Sequence, residues 1–283
     1  MEEEMVSLGR RIKLIVSDID GTLLNSKREV SKASMDVIWK SRDEGIMFSI
    51  CTGRIATMTE YYTERLQIKT PIITANGAVI WDCVRKKSIF DVPMDTNEVI
   101  ELLKMCKSLK LDYSALTLGT SYFSENSLRL NRFLEYNRFA SDNGMSEMKL
   151  EFFDEEHHCM DGLKVYKVLI YEKELKKLKL MQDYINELPN TGFTSSEPGL
   201  IDVSEARVNK GYGLKKLAEH LGLKKEEICV FGDYDNDIPM LENAGFPVAM
   251  GNSCENLKEH ASLVTKTNDE DGVAWAIRRY ILG

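Results

Sequence analysis

Two carboxylates one residue apart, Asp18 and Asp20, follow the aliphatic run Leu14-Ile15-Val16 and precede Gly21. Side chains at i and i+2 of an extended chain share a face, so both acids can enter one pocket where the run emerges from the core. Two carboxylates held this closely repel unless a divalent cation or a shared proton intervenes. The chemistry in reach is therefore that of a hard metal such as Mg²⁺, or of one acid and one base at pH 7. A plain Asp-x-Asp-Gly turn is also consistent with these residues alone, since Asp and Gly are ordinary turn formers.

Three further polar clusters close similar runs. Thr52-Gly53-Arg54 ends Ile46-Met47-Phe48-Ser49-Ile50-Cys51. There a hydroxyl and the freed backbone of a glycine form a phosphate cradle if a helix starts next, although a Thr N-cap reads the same way. Asn209-Lys210-Gly211 opens a helical stretch and offers an ammonium to an anion, or simply a solvated lysine. Gly232-Asp233-Tyr234-Asp235-Asn236-Asp237 follows Ile228-Cys229-Val230-Phe231, a set of oxygen ligands for a hard cation or else a hydrated acidic loop.

The elements that must position these residues alternate between short aliphatic strands and amphipathic helices, the pattern of a parallel α/β sheet covered on both faces. Leu14–Val16, 46–51 and 71–74 read as strands, 30–44 and 55–68 as helices, and Asn76-Gly77 as a turn. From about Lys87 the periodicity changes. Helices near 96–109, 127–141 and 173–188 alternate with strands near 111–116, 121–124, 163–171, 191–196 and 199–204. Leu163-Lys164-Val165-Tyr166-Lys167-Val168 alternates apolar and polar residues, as in an antiparallel sheet with one solvated face. The buried-strand pattern returns at 228–231. The expected organisation is a core of residues 1–86 and 203–283 interrupted by an inserted domain of residues 87–202. No internal repeat or low-complexity linker is seen.

A length of 283 residues suits two domains, and a formal net charge of −8 speaks against a general nucleic-acid or anionic-membrane surface. The start, Met1-Glu2-Glu3-Glu4-Met5, is acidic where a secretory signal is basic, and no apolar run approaches the roughly 20 residues of a spanning helix, so a cytoplasmic location is expected. Six cysteines without a C-x-x-C pair give little support to zinc or a disulfide framework; His157-His158-Cys159 is the one soft-metal cluster to weigh.

Taken in order, these clusters resemble the haloacid-dehalogenase superfamily of aspartate-nucleophile phosphotransferases, in its Cof-type branch with a class IIB cap. Asp18-Ile19-Asp20-Gly21-Thr22-Leu23-Leu24 matches the first motif, Thr52-Gly53-Arg54 the second, Lys210 the third and Gly232–Asp237 the fourth; Asn76-Gly77-Ala78 also fits. The resemblance implies a Rossmann-like core with an inserted α/β cap containing an antiparallel sheet, which closes over a small phosphorylated substrate and sets selectivity. It makes Asp18 the nucleophile that forms an aspartyl-phosphate, and Asp20 the acid and then the base. Thr52, Gly53 and Lys210 would hold the phosphoryl group. Mg²⁺ would be bound by Asp18, the backbone carbonyl of Asp20 and Asp233, with Asn236 and Asp237 in support. The implied function is hydrolysis of a small phosphomonoester such as a sugar phosphate; a phosphomutase and a non-catalytic phospholigand sensor are the alternatives.

Overall fold

The aliphatic run that precedes Asp18 forms β1 (Leu14–Ser17), buried at every position, in a computed structural model that describes residues 11–153, 160, 162–195 and 198–283. Along the chain follow α1 (Lys32–Asp43), capped by the Ser31 hydroxyl on the Ser34 N–H, and β2 (Met47–Ile50). The helix expected over 55–68 is instead a 3₁₀ segment, Ala56–Thr59, followed by the short α2 (Glu60–Arg65). Thr52 therefore does not cap a helix directly. A three-stranded sheet comes next, from β3 (Ile72–Thr74), β4 (Val79–Asp82) and β5 (Lys87–Asp91), with β3 and β4 antiparallel.

The chain then builds α3 (Thr96–Ser108), β6 (Asp112–Leu116), β7 (Thr120–Phe123), α4 (Leu130–Asp142), β8 (Lys149–Phe152), β9 (Lys167–Tyr171), α5 (Leu175–Glu187), β10 (Thr191–Thr194) and β11 (Leu200–Glu205). It returns through α6 (Lys210–Leu221), β12 (Ile228–Gly232), α7 (Ile238–Glu242), β13 (Phe246–Ala249), α8 (Glu255–Lys258), β14 (Leu263–Val264) and α9 (Gly272–Ala276). No described helix is long and apolar enough to cross a membrane.

Contacts divide the chain into two units. The first comprises the described residues up to Gly53, then Tyr62–Phe90 and Asn209–Gly283. Its sheet is wholly parallel, in the order β14-β13-β12-β1-β2. The chain leaves β1 toward β2 on one side, while β12, β13 and β14 extend the other way. The carboxyl ends of β1 and β12 thus flank the point where strand order reverses, the usual place for a ligand crevice in an open α/β sheet. Leu14 and Val16 of β1 pack with Ile228 and Val230 of β12 and with Leu214 and Leu217 of α6, so the helix that begins at Lys210 is anchored to both strands.

The second unit comprises Arg54–Tyr61 and Asp91–Val208. Its six-stranded sheet has the order β10-β11-β9-β6-β7-β8, antiparallel except for β7 and β8, which α4 connects as a parallel crossover. One face carries Val168, Ile170, Ile201 and Val203 beneath Leu102, Leu103 and Ile185 of α3 and α5. The other carries Leu116, Phe123 and Leu169 with Phe133 and Tyr136 of α4.

Further expectations change. Residues 54–61, expected in the core, group with the second unit. Residues 87–90 group with the first unit, because Asp82 accepts the N–H groups of Val84 and Arg85 and so turns β5 back into the sheet of β3 and β4. The second boundary moves from 203 to 208, since β11 continues pairing with β10 as far as Glu205. The alternating stretch 163–171 forms a strand only at 167–171, and while Lys164 before it is exposed, Lys167 is buried and ion-paired with buried Asp202. The His157-His158-Cys159 cluster lies outside the described residues.

Candidate active site

The site is built at the ends of β1 and β12. The β1 ladder continues one residue past the strand, with Asp18 N–H donating to Phe231 C=O at 3.0 Å, so Asp18 leaves the sheet beside the strand that leads to Asp233. The backbone then turns. Asp20 is extended (φ −82°, ψ 116°) and Gly21 is left-handed (φ 84°, ψ −8°). Glycine is required at 21 on two grounds: its φ disfavours other residues, and a Cβ there would lie 2.4 Å from Asp233 Oδ2. The close approach brings Thr22 alongside, and its hydroxyl donates to Asp233 Oδ1 at 2.7 Å.

Lys210 is the first residue of α6, whose start is capped by Asn209 Oδ1 on the Tyr212 N–H at 2.9 Å. A cation at a helix N-terminus opposes the helix dipole, and a buried one carries a desolvation cost as well. Lys210 is only 2% exposed, and its ammonium is held 2.8 Å from Asp18 Oδ1 and 2.5 Å from Asp237 Oδ1. Asp237, fully buried, turns its other oxygen back to accept the N–H groups of Asp233 (3.0 Å) and Tyr234 (3.2 Å). Asp237 thus ties the fourth cluster to the lysine.

Thr52 is buried just beyond β2, its N–H donating to Ile73 C=O and its C=O accepting from Asn76 N–H. Gly53 follows, half-buried. The Asn76 turn lies against the start of α6: at Gly77 (φ 104°) a Cβ would meet the Asn209 carbonyl oxygen at 2.1 Å. The second and third clusters are therefore braced by one turn. Asn236 sits half-buried on the 3₁₀ turn Asp235–Asp237, and among the described contacts its side chain makes no hydrogen bond to the site.

Oxygens of Asp18, Asp233 and Asp237 lie within 4.8 Å of one another. Burial pushes the Asp18 carboxyl well above the usual carboxylate range; Lys210 opposes this, and Asp237, Asp233 and Asp20 add to it. Burial and then Asp237 raise Asp233 to about 6, against the Thr22 hydroxyl and Lys210. Burial alone would lower the Lys210 pKa, but Asp18 and Asp237 outweigh it and the lysine stays charged. Three carboxylates, Asp18, Asp233 and Asp237, thus gather around one ammonium, and the donors are hard oxygens, a set that fits a divalent cation such as Mg²⁺. Asp237 has both oxygens engaged, which leaves Asp18 and Asp233 as the side chains able to take it.

Two contributors were not among the site residues expected from the sequence. Thr22 stands inside the first motif, where a hydroxyl two residues after Asp20 is the only signal. Asn252 follows β13 after Met250-Gly251, again a polar residue at a strand end, and donates to the Gly21 carbonyl at 2.8 Å.

A parallel sheet with a buried carboxylate and lysine at its reversal point, interrupted by a mixed α/β insertion, defines an α/β class with an acid at the end of its first strand. The family model for haloacid dehalogenase-like hydrolases matches residues 15–277, and the chain belongs to that family. It is 31% identical to "Phosphatase YwpJ" of Bacillus subtilis, over 95% of this chain and 100% of the other. It is 30% identical to a 5-amino-6-(5-phospho-D-ribitylamino)uracil phosphatase, YwtE, of the same organism, over 96% and 99%. Among solved structures, a haloacid dehalogenase-like hydrolase from B. subtilis superposes with a TM-score of 0.82 at 31% identity, covering 94% of this chain and 99% of the other.

Proposed function

We propose that this enzyme is a phosphatase that hydrolyses small phosphomonoesters through an aspartyl-phosphate on Asp18, the ester being a sugar phosphate or a similar polyhydroxylated metabolite. The observation that carries the reading is the Lys210 ammonium 2.8 Å from the Asp18 carboxylate at the reversal point of the sheet. An ammonium placed there orients the nucleophile and meets the negative charge of an incoming phosphoryl group. The relatives named above are phosphatases, one of them acting on a phosphorylated ribityl chain, which supports the polyhydroxylated substrate class.

Asp18 attacks phosphorus in line, and the P–O bond to the leaving group breaks as the Asp18 Oδ–P bond forms. Asp20, on the exposed turn, donates its proton to the leaving oxygen. It then takes a proton from the water that attacks the aspartyl-phosphate, which returns Asp18 and releases phosphate. Thr52 and the Gly53 backbone hold phosphoryl oxygens beside Lys210, and Asp237 keeps the lysine aimed at Asp18. Asp18, Asp233 and the backbone carbonyl of Asp20 would hold Mg²⁺, with Asn236 in support; when bound, the ion supplies positive charge between nucleophile and phosphoryl oxygens. Selectivity for the remainder of the substrate is assigned to the inserted unit. A cytoplasmic setting agrees with the free thiols of the described cysteines.

The test is a panel of phosphorylated metabolites with phosphate release and product identity as readouts, ranked by kcat/KM. Release of free phosphate from sugar phosphates is expected. Isomerised sugar phosphate without net release would make the enzyme a mutase, and no turnover across the panel would leave a phospholigand sensor.

A further inference from the structure

The turn that carries Asp20 is held from a loop outside the four motifs. Between Asp18 and Leu24 the backbone is neither ladder nor regular helix, and Gly21 gives it a pivot. Asn252 Nδ2 donates to the Gly21 carbonyl oxygen at 2.8 Å, while its own Oδ1 accepts the Asn268 N–H at 2.9 Å. Asn268 in turn donates its side-chain amide to the Leu24 carbonyl at 2.9 Å. The two asparagines thereby grip the middle and the end of the turn together. Two residues on from Asn252, the Cys254 N–H donates to the Asp233 carbonyl at 3.1 Å, so the same loop is fastened to the fourth motif. A carboxamide suits position 252 because it donates and accepts at once; a carboxylate could not donate to Gly21, and an aliphatic side chain could do neither.

We propose that Asn252, backed by Asn268, is a positioning residue for proton transfer: it locks the Gly21 peptide and so aims the Asp20 carboxyl at the leaving oxygen. The inference rests on the proton-shuttle role of Asp20 given above. Asn252 itself touches no reacting atom. Its effect should therefore follow the need for a proton on the leaving group and vanish when Asp20 can no longer supply one.

The experiment measures kcat/KM for ribose 5-phosphate, whose alkoxide needs a proton, and for 4-nitrophenyl phosphate, whose phenolate does not. The proteins are wild type, Asn252→Ala, Asp20→Asn and the double variant, with thermal unfolding of each. Because kcat/KM stops at the first irreversible step, it isolates the transfer to Asp18. Asn252→Ala is expected to lose about tenfold on ribose 5-phosphate, the scale of one hydrogen bond, and less than about twofold on the aryl ester. In the Asp20→Asn background it is expected to cost nothing further. Equal losses on both substrates, no loss on either, or additive losses in the double variant would each overturn the proposal. If Asn252→Ala does not fold, Asn268→Ala carries the same comparison; failure of both to fold would make the pair structural and also overturn it. The two readings separate cleanly. Should Asp20→Asn slow both esters alike, the shuttle role falls and takes the proposal with it, whereas discrimination by Asp20→Asn but not by Asn252→Ala removes the proposal alone.

Discussion

Lys210 Nζ lies 2.8 Å from Asp18 Oδ1 across 192 residues of sequence, and both groups are buried. A buried ammonium and carboxylate at this distance stand or fall together, since each removes from the other the cost of an uncompensated charge.

Lys210→Met leaves Asp18 and Asp237 buried without their cation. A loss of about 3–5 kcal/mol is expected from breaking a buried pair on one side. Urea unfolding in EDTA measures it; a change below about 1 kcal/mol would mean that the acids accept protons at little cost.

Asp18→Asn keeps the shape of the side chain and removes the nucleophile. Lys210 retains Asp237, so the fold is expected to persist while turnover falls below about one thousandth of wild type. Phosphate release and thermal unfolding on one preparation check both halves, and retained activity would take the nucleophile role from Asp18.

Asp20→Asn is expected to slow the first step by about 10²–10⁴-fold for a sugar phosphate and little for an activated aryl phosphate. Water attack on the intermediate still lacks its base, so rapid mixing with the aryl ester should give a burst of about one phenol per site and then a slow steady state. Equal loss on both esters with no burst would recast Asp20 as a structural residue.

The metal-free protein has a pH dependence of definite sign. Unfolded Asp233 loses its proton near 4 and the folded residue near 6, so between these values the folded state binds more protons. Stability is then full below about pH 4 and falls as pH rises through 6, by at most about 3 kcal/mol from this residue, with Asp18 acting in the same direction. Thermal unfolding in EDTA should show Tm dropping from pH 4.5 to 7. Added Mg²⁺ should restore more at pH 7 than at pH 5, because binding needs the ionised carboxylates. A Tm in EDTA that rises across this range would reverse the assignment of Asp233.

EDTA is expected to abolish phosphate release and Mg²⁺ to restore it, with Ca²⁺ a poor substitute because it prefers longer bonds and more ligands. Full turnover in EDTA, measured by phosphate release, would exclude the metal from the reaction.

Much of the core was legible along the chain. Parallel strands buried on both faces must be aliphatic, so a polar residue that ends such a run marks the end of the sheet, and Asp18, Thr52 and the Asp233–Asp237 cluster each declare themselves in that way. Periodicity reports which face a residue occupies, but not its partner in space. Lys167 therefore read as solvated, while the fold buries it on Asp202. The expected long helix after Thr52 is broken, and a domain boundary placed by periodicity fell inside β11. Only the tertiary structure decided that Thr22 holds Asp233 and that Asn252 and Asn268 hold the turn of Asp20. Each of these bonds joins segments far apart in the chain that the order of the sheet brings together. Such a bond leaves no mark on the hydrophobic pattern from which the sequence is read.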